Sequence, residues 1–427
     1  MNKYLAVSGF PVSHSLSPPI FRRFFEINKN KNSYYTRLSC KTDEEIIYMM
    51  DKLKLGGINI TSPFKKNIMK YLDGIQKDAL KMDAINTAVY KKNELIGYNT
   101  DYLGVLNSIR GKNINLKGKK ILVLGAGGAG VSAIYGLKKY NNKIIIINRT
   151  EKKAKELAKK FNVTYKKYDN FKYIIREVDI LISTIPVNKF PFKLKNFPDN
   201  LIIFNAYYKT NQLENFAKSR DLRYIDGLDW LINQAVPAYR VFLNRSIDKN
   251  KIKNLNLGIN RKNIGIIGFM KAGKSTVGRK LADKLGKDFV DIDRLIEKEE
   301  DASVNDIFLK KGEGYFRKLE EKIILNLKCK DCVIAYGGGI VKNPKILRKL
   351  KNFSYNIWLW VSPENVLGRK DSNKRPLLKN NKNELSDMIK NRFNEYFKTA
   401  DLIINTDNKR KKDVIKQVTY EVNNLLG

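Results

Sequence analysis

Two hydrophobic periods alternate along the chain. Apolar runs at 4–8, 58–61 and 87–90 read as short strands, whereas 43–54 carries Ile46, Ile47, Met50 and Leu53 at near-helical spacing and reads as an amphipathic helix. Residues 119–148 then predict strand, loop, helix and strand within the length of one βαβ unit. Further strands are expected at 180–184 and 201–205. The stretch 226–243 reads as a loop and then an amphipathic helix that Pro237 interrupts. Residues 244–263 are rich in Asn, Lys and Arg and offer little that could pack, which makes them the best linker candidate. A second α/β pattern begins at Ile264 and ends in a helical tail over 412–426, with no internal repeat linking the halves. At 427 residues the chain exceeds one ordinary core, so two or three domains are expected.

Two glycine loops punctuate this pattern, each directly after an apolar run. In GAGGAG, Gly125, Ala126, Gly127, Gly128 and Ala129 permit a tight turn and bring backbone N–H groups to a dinucleotide pyrophosphate at a helix N-terminus. The next strand ends in Asn148-Arg149-Thr150, followed by Lys152 and Lys153. An NAD site places an acidic residue there; a guanidinium and a lysine suit a 2′-phosphate instead, so the expected cofactor is NADP(H). The second loop, GFMKAGKST, matches GxxxxGKS in full. Its backbone at Lys271, Ala272, Gly273 and Thr276 wraps the phosphates of a nucleoside triphosphate, Lys274 reaches the β/γ oxygens, and the Ser275 hydroxyl serves Mg²⁺. Downstream, Asp291 and Asp293 have the period-2 spacing that puts two carboxylates on one strand face, one for the metal and one for an acceptor hydroxyl.

Bulk properties narrow the classes. The formal charge of +39 is spread over nearly every segment with no nucleic-acid-binding signature, so it reads as a solvated basic surface that attracts anionic substrates, without a specific nucleic-acid partner. Cys329 and Cys332 form a lone CxxC that falls between a helical pattern and a buried strand, and it reads as two small residues at a turn. His14 is the only histidine, which argues against a Ser-His-Asp triad and leaves proton transfer to Lys, Asp, Glu or solvent. No apolar run approaches the ~18 residues of a membrane span and no secretory leader is evident, so the expected location is cytoplasmic.

Four clusters, Ser13-His14-Ser15-Leu16-Ser17-Pro18, Asn59 to Lys65, Ala84-Ile85-Asn86-Thr87 and Asn99-Thr100-Asp101, together resemble the shikimate dehydrogenase family over residues 4 to about 245. The resemblance implies that Ser15, Ser17, Thr61, Asn86 and Gln234, with Tyr208 nearby, hold the carboxylate and hydroxyls of a polyol acid. Gly227 belongs to the cofactor side. Reduction of a ring ketone needs a hydride and a proton, and a Lys65–Asp101 pair would present an ammonium donor to the reacting oxygen. Asp229 stands where the family usually has glycine, and Asn205 where aspartate is common.

The second half resembles shikimate kinase over 263 to about 405, through the phosphate loop, Asp291-Ile292-Asp293, GEGYFRKLE with Arg317 and Glu320, Gly337-Gly338-Gly339, Arg375-Pro376-Leu377-Leu378 and Arg392. The resemblance implies that Asp293 orients the attacking hydroxyl and Asp291 helps hold Mg²⁺, with ATP as donor. It also implies that Arg317, Arg392 and Gly338 would bind shikimate and that Arg375 would lie on a lid closing over ATP. The segment from Arg369 to Arg375 is about one residue shorter than usual.

The expected fold class is therefore α/β. A substrate domain at 1–103, completed by a helix at about 228–245, carries a Rossmann NADP domain at 104–227. A linker at 246–262 leads to a P-loop kinase domain with a parallel sheet at 263–427. The expected function is reduction of 3-dehydroshikimate by NADPH followed by MgATP-dependent phosphorylation of shikimate. The alternative keeps the kinase beside a quinate/shikimate or weakened dehydrogenase. Oligomeric state stays open.

Overall fold

The computed structural model describes residues 2–140, 143–185, 187–208, 211–248, 251–252, 255, 261–368 and 382–426. The chain forms two compact units, Met1–Phe64 together with Asn254–Gly427, and Lys65–Lys253. The first therefore joins the amino-terminal 64 residues to the C-terminal part of the chain. Within the expected linker, 249–250, 253–254 and 256–260 lie outside the described residues.

In the first unit, parallel strands run in the order Phe289–Asp291, Val333–Ala335, Asn263–Ile267, Ser354–Trp360, Leu402–Asn405, Ser33–Ser39, Lys3–Gly9 and Gly57–Ile60. Every residue of Ser354–Trp360 and Leu402–Asn405 is buried, as expected of parallel strands covered on both faces. The junction lies where Leu402, Ile403 and Ile404 pair with Arg37, Leu38 and Ser39. One core follows from it: Val7 and Val12 pack in the same cluster as Ile266, Leu402, Ile404 and Val418. The expected segments 1–103 and 263–427 thus do not coincide with the compact units, because an edge of one half's sheet is continued by a strand of the other.

The second unit contains six parallel strands in the order Tyr224–Ile225, Ile202–Asn205, Ile180–Ser183, Lys120–Leu124, Lys143–Ile147 and Thr164–Tyr165. This is the doubly wound dinucleotide-binding order, and its switch point lies between Lys120–Leu124 and Ile180–Ser183. An antiparallel hairpin, Thr87–Lys91 with Glu94–Tyr98, precedes the helix Asp101–Gly111. The helix Gly227–Leu243 packs on it and runs unbroken through Pro237, correcting the expected interruption. Buried Trp230, Ala235, Ala238, Tyr239 and Phe242 flank the proline, so packing on both sides outweighs one lost backbone hydrogen bond.

Candidate active sites

In the second unit, the ends of three elements meet at a polar cluster. Lys65 Nζ donates to Asp101 Oδ2 at 2.6 Å, and the Asp101 side chain is only 6% exposed. Asn86 Nδ2 lies 2.8 Å from Asp101 Oδ1, 3.0 Å from Thr100 Oγ1 and 3.2 Å from Gln234 Oε1. Three backbone contacts fix this arrangement: Ile85 N donates to the Lys65 carbonyl at 2.7 Å, Thr100 N to Asn86 Oδ1 at 2.8 Å and Trp230 Nε1 to the Asp101 carbonyl at 2.9 Å. Gly104 is required here, since a Cβ would press on Trp230 and Gln234. The result is a buried carboxylate with one ammonium partner that is itself partly exposed, the arrangement of a positioned proton donor.

The loop after Lys120–Leu124 suits a dinucleotide. Gly125 takes φ +112°, and a Cβ on Gly130 would collide with the Gly125 carbonyl, so the loop closes tightly onto the helix Gly128–Leu137. A Cβ on Gly127 would meet nothing within 4 Å, and one on Gly128 only Lys65 Cδ at 3.7 Å. That face is a cradle open to phosphate, with the Lys65 chain at its side. Asn148 Oδ1 accepts from Ala126 N at 3.1 Å, tying the next strand end to the loop. Arg149, Thr150 and Lys153 are exposed beside it, which fits a 2′-phosphate. Gly227 begins its helix against the carbonyl of Ala206, leaving no room for a side chain. Tyr208 is half-buried next to Tyr207. Asp229 sits in the first turn of the same helix, 3.4 Å from Lys112. Burial and Asp226 raise its carboxyl above the usual range despite that lysine.

Ser15, Ser17 and Thr61 belong to the first unit. Ser17 N donates to Ser15 Oγ at 3.3 Å, and the Ser15 carbonyl accepts from Arg37 Nη2 at 2.6 Å and Nε at 3.0 Å. The turn is therefore held by a buried guanidinium to which the sequence patterns gave no prominence.

The same unit carries the nucleoside-triphosphate loop. Gly268 and Gly273 take φ +149° and +92°, and Lys271 also enters the left-handed region at +59°. Lys274 Nζ reaches back to the Phe269 carbonyl at 3.1 Å, and Ser275 is exposed in the first turn of the helix Lys274–Leu285. An exposed hydroxyl and the nearly buried Asp291 carboxylate suit Mg²⁺, which is held by few protein oxygens and by substrate phosphates. Asp291 and Asp293 do not share a strand face, contrary to the spacing. The strand ends at Asp291, whose Oδ1 caps the helix Ile292–Glu300 by accepting from Asp293 N at 3.2 Å.

Three glycines gather the remaining groups. A Cβ on Gly337 would collide with the Glu320 carboxylate and come within 3.1 Å of Asp293 Oδ1, and one on Gly339 would collide with the Arg317 guanidinium. The Gly338 carbonyl accepts from Arg392 Nη1 at 3.0 Å and from the Tyr396 hydroxyl at 2.7 Å. Arg317 bridges Glu320 at 2.7 Å and Glu313 at 3.2 Å; burial opposes its charge, but these two carboxylates raise its pKa. Burial raises Glu320, only partly offset by Arg317, and lowers Arg392. Glu320 Oε1 and Arg392 Nε are buried with no hydrogen-bond partner among the described residues. They are polar atoms of both signs at the loop that also meets Asp293, suited to an acid with hydroxyls. Glu313 lies within the GEGYFRKLE string but was given no role there, and Tyr396 lies in no motif; its only sign was helical spacing from Arg392. Arg369 and Arg375 lie outside the described residues. Cys329 and Cys332 are free thiols, and burial together with Cys332 pushes Cys329 to about 12, so it stays protonated at neutral pH.

Comparison with known proteins identifies the families on both sides of the chain. Residues 7–88 match the model of the shikimate dehydrogenase substrate binding domain, 108–197 that of shikimate / quinate 5-dehydrogenase, and 270–423 that of shikimate kinase. Shikimate dehydrogenase (NADP(+)) of Aquifex aeolicus is 33% identical over 243 residues, covering 55% of this chain and 89% of that protein. Its counterpart from Methanocaldococcus jannaschii is 34% identical, over 56% of this chain and 91% of that protein. The crystal structure of the Aquifex aeolicus enzyme superposes with TM-score 0.56 at 29% identity, covering 59% of this chain and 98% of that one. The Thermus thermophilus enzyme in complex with NADP(H) and shikimate gives 0.54 at 27%, over 58% and 96%. The chain therefore belongs to the shikimate dehydrogenase family and carries a shikimate kinase domain fused behind it, a bifunctional oxidoreductase and kinase of the shikimate pathway.

Proposed function

We propose that the chain runs the two reactions in succession, reducing 3-dehydroshikimate to shikimate and phosphorylating shikimate to its 3-phosphate. The observation that carries the first step is the 2.6 Å Lys65–Asp101 contact beside the open glycine cradle. When bound, NADPH supplies the hydride to the carbonyl carbon and MgATP the phosphoryl group to the hydroxyl. Lys65 Nζ gives its proton to the oxygen of the former carbonyl, and the hydrogen bond to Asp101 holds that amine in place. Asn86 and Gln234, with Ser15, Ser17, Thr61 and Tyr208, hold the ring hydroxyls and carboxylate. Gly125 to Ala129 and Gly227 seat the dinucleotide, with Asn148, Arg149, Thr150 and Lys153 on its 2′-phosphate side.

In the kinase step, Asp293 orients the attacking hydroxyl and takes its proton as the bond to phosphorus forms and the bond between phosphorus and the ADP oxygen breaks. Arg317 and Arg392 bind the carboxylate beside Gly338. Lys271 to Thr276 cradle the phosphates, Lys274 neutralises developing charge, and Ser275 and Asp291 hold Mg²⁺. Arg375 is assigned the lid on resemblance alone. Among the described residues no helix is long and apolar enough to cross a membrane; cytoplasmic location, where NADPH and ATP are both supplied, is part of the same proposal. The test supplies 3-dehydroshikimate, NADPH, ATP and Mg²⁺ together and measures shikimate 3-phosphate by mass spectrometry. Consumption of NADPH without phosphorylated product, or use of quinate in preference to shikimate, would refute it.

A further inference from the structure

Glu421 is fully buried in the helix Lys411–Leu426 and contacts the other end of the chain. Its Oε2 accepts from Val12 N at 3.0 Å and Ser13 N at 2.9 Å, and its Oε1 from Ser39 Oγ at 2.6 Å. Ser13 Oγ in turn donates to the Glu421 backbone carbonyl at 2.6 Å. One helical turn earlier, Gln417 donates to Ser39 O at 3.1 Å and Ser39 Oγ at 2.9 Å. A buried carboxylate is tolerable only with such donors, and two successive backbone N–H groups aimed at one oxygen define the conformation of the segment that carries them. That segment closes at once into the turn in which Ser15 N donates to the Val12 carbonyl at 3.0 Å. Arg37 grips the far end of the turn at Ser15 O and also reaches the Asp401 carbonyl at 3.2 Å. Both ends of the serine turn are therefore anchored, directly or through one side chain, to residues beyond 400.

We propose that Glu421, a residue of the kinase half, is a positioning residue for the dehydrogenase: it holds the Val12–Ser13 backbone so that the Ser15 and Ser17 hydroxyls are set before substrate arrives. This rests on the assignment of those serines to substrate binding. A turn ordered in advance binds without an ordering cost at each encounter, so loosening it weakens substrate binding more than the chemical step.

The test uses the full chain as Glu421→Ala, Glu421→Gln and Ser17→Ala, assayed for NADP⁺-dependent oxidation of shikimate, with amide hydrogen exchange over residues 11–17. Glu421→Ala is expected to raise the KM for shikimate about tenfold, with kcat and the KM for NADP⁺ within about twofold of the parent. Exchange at Val12 and Ser13 should accelerate. In Glu421→Gln the amide oxygen still accepts from both N–H groups, so KM should return to within about threefold. An unchanged KM and exchange rate in Glu421→Ala would overturn the positioning role alone. A parallel rise in the KM for NADP⁺ and loss of kinase turnover would overturn it too, since the effect would be general loosening. If Ser17→Ala leaves the shikimate KM unchanged although Glu421→Ala accelerates exchange, the serine assignment falls and takes the positioning role with it.

Discussion

Separating the two halves should not liberate a working dehydrogenase. Residues 1–253 alone would contain every group assigned to ketone reduction, yet the strand Ser33–Ser39 would lose its neighbour Leu402–Asn405 and become a sheet edge. Besides the strand ladder, eight buried hydrogen bonds involving side chains cross, among the described residues, from the first 39 residues to residues beyond 399, made by Val12, Ser13, Thr36, Arg37 and Ser39 with Ala400, Asp401, Gln417 and Glu421. At ~1 kcal/mol net for each, they amount to about 8 kcal/mol, on the scale of a whole domain's stability of ~5–15 kcal/mol. Water reaching the exposed groups would recover part of this. Half the loss, about 4 kcal/mol, still shifts the folding equilibrium roughly a thousandfold. Expressed alone, 1–253 is expected to be aggregated or to melt at least ~10 °C below the full chain by circular dichroism, given the usual slope of melting temperature on stability. Size-exclusion chromatography and shikimate oxidation complete the assay. A soluble monomer with a melting point within ~3 °C of the full chain and an unaltered KM would show that the shared sheet contributes little.

Other perturbations separate the sites. Lys65→Ala should lower NADP⁺-dependent oxidation of shikimate by about 10²–10⁴-fold and leave phosphorylation of shikimate intact, whereas Lys274→Ala should do the reverse; loss of both activities in either folded variant would contradict independent chemistry. Gly339→Ala places a methyl group against the Arg317 guanidinium and should raise the kinase KM for shikimate about tenfold with the KM for ATP little changed, an outcome that equal increases in both would contradict. Burial and Asp226 raise the Asp229 carboxyl above its usual value, so in the folded state its ionised form is disfavoured. Stability is then lost as pH rises from the unfolded value near ~3.9 through the folded one. Asp229→Asn should therefore melt higher than the parent at pH 7, with the gap closing by about pH 3; an equal gap at both pH values would refute this cause.

What could be read without coordinates depended on how local each feature is. The two glycine loops are contiguous, and their phosphate cradles follow from a few φ angles available to glycine in a short strand-to-helix turn. The strands after them were legible because buried parallel strands are simple apolar runs. Period-2 counting failed at Asp291 and Asp293, since the strand ends at the first of them and the second lies in a helix. Pro237 was misread because its cost is local while the packing that overrides it is not. Lys65, Asn86, Asp101 and Gln234 are scattered along the chain, and the residue types alone do not place them within hydrogen-bonding reach.

The sequence by itself determined the α/β class, the doubly wound and phosphate-loop segments and the two nucleotide types, because these are written in short contiguous patterns of glycine, charge and apolar residues. Only the tertiary structure decided that the first 64 residues and the C-terminal part form one unit, and that Glu421 and Arg37 hold the serine turn. Strand pairing is a choice among many apolar runs, settled by burial and backbone hydrogen bonding across hundreds of residues. In the string of the tail helix, Glu421 is one more charge, and only the donors brought to it by folding make it part of a site.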